Sequence, residues 1–344
     1  MAITYLSGGR IQGLSTDTKP TTNIPIGTRF EETDSRKIYA YLEPSGITTD
    51  GSYTVLKFIA NGTFTPSSSF NIDYLIVGGG GGGGSSYGGG GGAGDFKTAT
   101  GQGVTATSYS ITIGAGGLAG SGTQFGGTGD GTGDVGGTTT FYGVSSTGGG
   151  AGRTYHQPAS NGASGGGGSL TNQGGDTAGT GNGTNGNDGN IGKGSGGYSG
   201  NGGGGGGGAG SGGDTNTATS QVGGSGMASS ITGTSLYYAA GGGGSRVGIL
   251  STADSAQGGS GIGGDGSEAN SSTDSGTPNP PTPNTGSGGG GGNSGNSDRT
   301  PVTGRSGQGA DGVVIIRFLS SNNYSVSGSG NKFSNAWVER GTSN

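Results

Sequence analysis

The chain has 344 residues, of which 96 are glycine, 25% are apolar and 10% are charged, with no cysteine, one histidine and a formal net charge of −5. An ordinary domain is about 7% glycine, so most of this chain lacks the side chains for a large oily core. The composition excludes disulfides, thiolate metal sites and a two-histidine zinc site within one chain; no basic block marks a nucleic-acid partner, and no run of about 18 apolar residues is present to span a membrane as a helix.

In chain order, the first ten residues lack a basic region followed by an apolar one, so a secretory signal is not expected. Residues 25–41 end as a strand. Residues 53–60 are β-branched and aromatic, and Asn61-Gly62 reads as a hairpin turn. Residues 63–65 follow, stopped by Pro66. Residues 72–77 form a mostly buried strand that runs straight into seven glycines. Residues 109–113 and 138–142 are further strand candidates, 229–238 reads as a short hairpin, and 312–319 is the most apolar run and suits a central strand. No window of about eleven residues keeps a 3.6-residue apolar period, so essentially no α-helix is expected. The fold class is all-β: a small β-sandwich from which glycine-rich segments project.

The glycines are clustered in pure runs at 78–84, 88–92, 202–208, 241–244 and 288–292. A flexible linker is the bland reading of such content, but linkers mix serine throughout, and these runs are bounded by strand signals. Glycine loses more backbone entropy on folding than any other residue, so ordered runs need a compensating interaction. An extended helix of the polyproline II type has three residues per turn, a rise of about 3.1 Å and no internal hydrogen bonds. Without side chains, several such helices can pack side by side and satisfy one another's backbone groups. Seven residues reach about 22 Å in this form.

Gly62 to Pro66, then 74–77 with its glycine run, 109–117, 229–244 and 311–318 together resemble, in order and spacing, the glycine-rich domain of phage and virus tail-fibre-type proteins. More loosely, they are similar to the receptor-binding adhesins at the tips of T-even-type long tail fibres. That resemblance implies a polyglycine lattice carrying variable loops that bind a host surface receptor. The flanks, 25–41 and 335–342, look like two halves of one short module of viral and environmental structural proteins, in which Lys37-Ile38-Tyr39 is normally followed within a few residues by Ala336-Trp337-Val338-Glu339. The expected organisation is therefore a base module of residues 1–51 completed by 320–344, with a glycine-rich domain at 52–319 inserted into a hairpin loop. Residues 36–41 should pair antiparallel with 335–339, and Trp337 should pack on Phe30 or Tyr39.

Gly-x-Gly-x-x-Gly patterns are frequent at this glycine content, and none opens a helix after a strand as dinucleotide binding requires. No phosphate-binding Gly-Lys-Ser/Thr is present. Residues 126–134 distantly resemble a calcium-binding nonapeptide, with Asp130 and Asp134 as carboxylates, but without a nine-residue period; a polar turn is the preferred reading. No paired catalytic carboxylates are recognisable, so no enzyme activity and no cofactor are expected, and a depolymerase is the least favoured reading. The expected function is a virion-surface adhesin of tail-fibre or spike type, made in the host cytoplasm. Its partners would be a host protein or glycan receptor, other virion proteins and further copies of itself. The alternative is a purely structural virion or filament component. A glycine run leaving the sandwich must carry the following loop to the far end. The candidate receptor contacts are therefore Tyr87, Arg153, Tyr155, His156, Gln157, Arg246 and, before the last strand, Arg299. Tyrosine with adaptable polar neighbours is what such contact surfaces favour.

Overall fold

Val313–Leu319 is the central strand of a five-stranded antiparallel sheet, as its apolar run requires. Tyr53–Phe58 and then Ile47–Asp50 lie on one side of it, and Phe70–Val77 and then Phe96–Val104 on the other. The computed structural model describes residues 4–6, 10–13, 15–16, 18–19, 29–42, 46–122, 131–154, 157–169, 178–192, 201–213, 221–247, 256–269, 278–292, 304–328, 330–331 and 336–342. Among them there is no α-helix, only a 3-10 turn at Gly259–Gly261.

The central sheet is covered on both faces, which is why its strands read as continuous apolar runs rather than alternating ones. Val314, Ile316 and Phe318 enter a core shared with Leu56, Phe58, Phe64, Ile72, Ile76 and Phe141. Beyond that core lies a second sheet, with Gly62–Pro66 between Tyr109–Ile111 and Tyr324–Ser327. The Phe318 ring meets Phe64 at 5.6 Å, Phe70 at 5.4 Å and Tyr324 at 4.9 Å between centroids. On the opposite face Val313 and Ile315 pack with Leu75, Val77, Ile231 and Tyr238. The last two belong to the expected hairpin, observed as Met227–Ser229 paired with Leu236–Tyr238 and its connecting turn.

The Asn61-Gly62 hairpin does not form. Tyr53–Phe58 and Gly62–Pro66 belong to different sheets, so Asn61-Gly62 is a corner between them. Asn331, fully buried, supplies the bonds a hairpin would have made. Its Oδ1 accepts from the amides of Ile59 and Ala60, both at 2.9 Å, and its Nδ2 donates to the Asn61 carbonyl. Asn61 Oδ1 in turn accepts from the Ile113 amide at 2.8 Å.

The two chain ends meet as expected. Lys37–Leu42 pairs antiparallel with Ala336–Thr342, closing a sheet that continues through Arg29–Glu32, Arg10–Gly13 and Thr4–Leu6. Trp337 stands opposite Tyr41; its side-chain packing lies outside what is described. Phe30 is fully buried here, under the Lys19 ammonium, which also pairs with Glu32 at 2.7 Å. Two strands outside the expected 52–319, Ile47–Asp50 and Tyr324–Ser327, pair with strands inside it.

The glycine segments bond with a repeat of three residues. Gly78, Gly81 and Gly84 donate to the carbonyls of Asp95, Gly92 and Gly89; Gly79, Gly82 and Ser85 to those of Gly137, Asp134 and Gly131; Gly80 and Gly83 to those of Ala310 and Gly307, all at 2.8–3.1 Å. Acceptor numbers fall by three in each series, so these three neighbours run antiparallel. The carbonyls of Gly79 and Gly82 accept from Gly149 and Gly152, those of Gly80 and Gly83 from Gly117 and Gly120, and those of Gly81 and Gly84 from Gly289 and Gly292. These three neighbours run parallel, so segment 78–84 is enclosed on six sides. Segment 88–95 is enclosed in the same way by 78–84, 147–153, 164–167, 204–207, 242–245 and 286–292. A methyl group at Gly81, Gly82 or Gly83 would overlap the carbonyl oxygen of Gly150, Leu118 or Gly290 respectively. At these positions only a residue without Cβ fits; Ala93, in segment 88–95, is an exception, its methyl packing into the sandwich core.

Candidate functional site

The lattice has a sandwich end and a free end. At the sandwich end Gly78 bonds to Asp95, whose neighbour Phe96 opens a strand, and Ser146 and Gly312 lie beside the strands they join. Six residues further along, at the free end, Gly84 meets Gly89, the Gly89 amide donates to Arg153, the Ser245 amide donates to Gly88, and the Gly88 amide donates to Gly292. The turn after 84, the loop after 153 and the Arg246–Val247 strand after 245 are therefore together, as chain direction predicts. Two short pairings lie at the same end, Ser121–Gly122 with Gly304–Arg305 and Asn201–Gly202 with Arg246–Val247.

The expected exposure of the contact residues is only partly met. Ser86 and Tyr87 turn the chain with left-handed φ values of 53° and 57°, a conformation uncommon for side-chain-bearing residues. Ser85 and Ser86 are buried and Tyr87 is half-buried. Arg246, expected at the surface, is only 3% exposed. It sits in a strand between Gly202 and Glu268 in register. Its four preceding glycines signalled an exit from the lattice, but nothing in the sequence signalled that two further strands would flank it.

Arg153 is half-buried and turned inward: its Nη2 donates to Ser160 Oγ at 2.6 Å. The loop between them has fixed feet. The Ser160 amide donates to the Ala151 carbonyl, the Gly166 amide to the Ser160 carbonyl, and the Gln157 amide to the Thr154 carbonyl. Gln157 and Pro158, at its crown, are exposed. Ser160 and Thr154, neither singled out by sequence, carry the anchoring; polar residues in a polar loop gave no signal of it. Tyr155, His156 and Arg299 lie outside the described residues, as does Asp130. Among the described residues no group of three or more histidine, aspartate or glutamate side chains is arranged to hold a metal ion, and no helix is long and apolar enough to cross a membrane.

Among curated proteins, none matches this chain. One family does: the Glycine-rich domain matches residues 59–319, from the corner after the Tyr53–Phe58 strand to the end of the central strand. Over those residues, most of its length, the chain belongs to the Glycine-rich domain family.

Proposed function

We propose that the protein is a surface adhesin of a phage-like virion, of tail-fibre or spike type, and that it binds a host-cell receptor, protein or glycan, through the free end of its glycine lattice. We read the three-residue hydrogen-bonding repeat as that of polyglycine II helices. The observation that carries the functional reading is the convergence at one end: the turn after 84, the loop after 153, the Arg246–Val247 strand and the described chain at 122 and 292 share the end opposite the sandwich. A stiff scaffold presenting loops at one tip limits the entropy lost on binding, and loops on a rigid frame are where recognition concentrates. No catalysis is proposed. The base sheet would join other virion proteins or further copies of the chain.

The contact role falls to the crown of the 153–160 loop, with Arg153 holding the loop rather than touching the receptor. Binding of the purified protein to candidate host cells tests this. Replacing Tyr155, His156 and Gln157 together by alanine should weaken cell binding at least about tenfold with an unchanged melting temperature. Undiminished binding of that variant, in a protein that does bind cells, assigns the contact elsewhere. A wild-type protein that binds no cell type leaves the purely structural role as the better reading.

A further inference from the structure

The outer face of the second sheet, on the flank of the sandwich, is built from hydroxyls. Its three strands, Tyr109–Ile111, Gly62–Pro66 and Tyr324–Ser327, contain no charged residue. Their inward positions, Tyr109, Ile111, Phe64, Tyr324 and Val326, pack on the core. Outward, Ser110, Thr63 and Ser327 form one row across the strands by register. Thr65 and Ser325 form the next, with Ser108 beside them. Thr63 Oγ1 and Ser327 Oγ are 2.7 Å apart, and Thr65 Oγ1 and Ser108 Oγ 2.8 Å, so the hydroxyls share one face. The four serines are exposed and the two threonines half-buried between them. A solvent-facing sheet of this size ordinarily carries lysine, glutamate or arginine.

We propose that this face is a second binding surface, independent of the lattice tip, for an extended neutral polysaccharide. The absence of charge from all three strands disfavours phosphate, carboxylate or nucleic-acid ligands, which require cationic donors. Each hydroxyl both donates and accepts, the same capacity as the hydroxyls of a sugar. Within each hydrogen-bonded pair, Thr63 with Ser327 and Thr65 with Ser108, one hydroxyl proton is used and the other is left to donate, and lone pairs on both oxygens remain to accept. Short side chains on paired strands lose little rotamer freedom when covered. Each hydrogen bond contributes little net, because water is displaced from both partners. A single short glycan would therefore be held weakly, and a solid with many parallel chains would be held by many contacts at once.

The test is retention of the purified full chain on insoluble cellulose, chitin and amylose resin. Wild type should be retained on at least one, and equally in about 1 M salt, where the Debye length is about 3 Å. The double variant Thr63→Lys, Thr65→Lys sets two charges in the middle of the face, outside the core, and should lose retention about tenfold. The conservative pair Thr63→Ser, Thr65→Ser should keep it. Melting temperatures of both variants establish that they fold. The proposal is overturned if wild type is retained on none of the three solids, if the lysine variant folds and is retained equally, or if salt abolishes retention. Loss of cell binding by tip variants does not bear on this result, so the two readings fail separately.

Discussion

The sandwich and the lattice reach order by opposite means within one chain. In the sandwich, side chains do the work: Phe58, Phe64, Phe141 and Phe318 are almost wholly buried, and backbone bonds run mainly within each sheet. In the enclosed glycine runs at 78–84 and 88–92, side chains are excluded and the backbone bonds in six directions. Glycine in a fixed conformation costs roughly 0.5–1 kcal/mol per residue relative to alanine, and the lattice offsets this by pairing the amides and carbonyls of its enclosed segments with those of their neighbours. The comparison teaches that a buried environment has two forms: one that tolerates any apolar shape of the right volume, and one that tolerates no shape at all.

The two regions should therefore fail differently. The largest single effect is expected in the oily half: Phe318→Ala should cost about 4 kcal/mol in a denaturant titration. Next comes Gly91→Ala, whose methyl would overlap the Gly81 carbonyl oxygen. It should cost about 3 kcal/mol, at the high end for overpacking, because the obstructing atoms are backbone. The control is Gly103→Ala, where the nearest atom to a new methyl is Asn71 Oδ1 at 3.8 Å; it should be nearly neutral. Equal effects at Gly91 and Gly103 would remove the steric account of the lattice. Asn331→Ala, which strips three bonds from the corner between the sheets, should cost about 2 kcal/mol.

A smaller effect separates the halves by pH. Burial holds the phenols of Tyr238 and Tyr324 above their ordinary value of 10.0, and both pack on the sandwich. A group whose folded pKa is raised contributes stability that is complete below its unfolded pKa and is lost as pH rises through the folded value. Lys57 acts in the other direction: burial lowers its pKa from 10.5, so its contribution improves as pH rises toward that value. Urea melts between about pH 9 and about pH 11 should therefore show stability falling above pH 10, with a shallower fall in Tyr238→Phe and Tyr324→Phe. An unchanged slope in both variants would assign the alkaline loss elsewhere. The smallest effect is expected at the lattice rim. Leu118 is 60% exposed, and Leu118→Ser should change stability by no more than about 0.5 kcal/mol.

Much of this contrast was legible in the sequence, because purity of a glycine run tracks enclosure. Segment 78–84 is all glycine and has six neighbours. Segments 114–120 and 131–137, at the rim, admit Leu118 and Val135, both largely exposed. Strands that carried β-branched runs, 72–77 and 312–319, were found for the same reason: their side chains state both faces. Phe96–Val104 escaped notice because threonine and glycine fill it, and it takes its strand form from pairing with Phe70–Val77. Asn61-Gly62 misled because its local preference for a tight turn is overridden by Asn331, 270 positions away. The shared free end followed from chain direction alone. The burial of Arg246 did not, since it depends on Asn201–Gly202 and Glu268–Ala269 arriving from elsewhere in the chain.

The three-residue bonding repeat has a further consequence, for how such a chain can change its length. Adding or deleting one residue inside 78–84 would redirect every later amide from its own neighbour to the next one round, so that six partners are mismatched at once. The lattice thus behaves like text read in triplets, in which a single inserted letter garbles the rest of the line. Only changes of three keep the phase, and even those must be matched by the six segments alongside. The loops at the free end carry no phase. Single-residue insertions scanned along 78–91 should disrupt folding throughout the glycine runs and be silent only at Ser86-Tyr87, where the chain turns and the frame is reset.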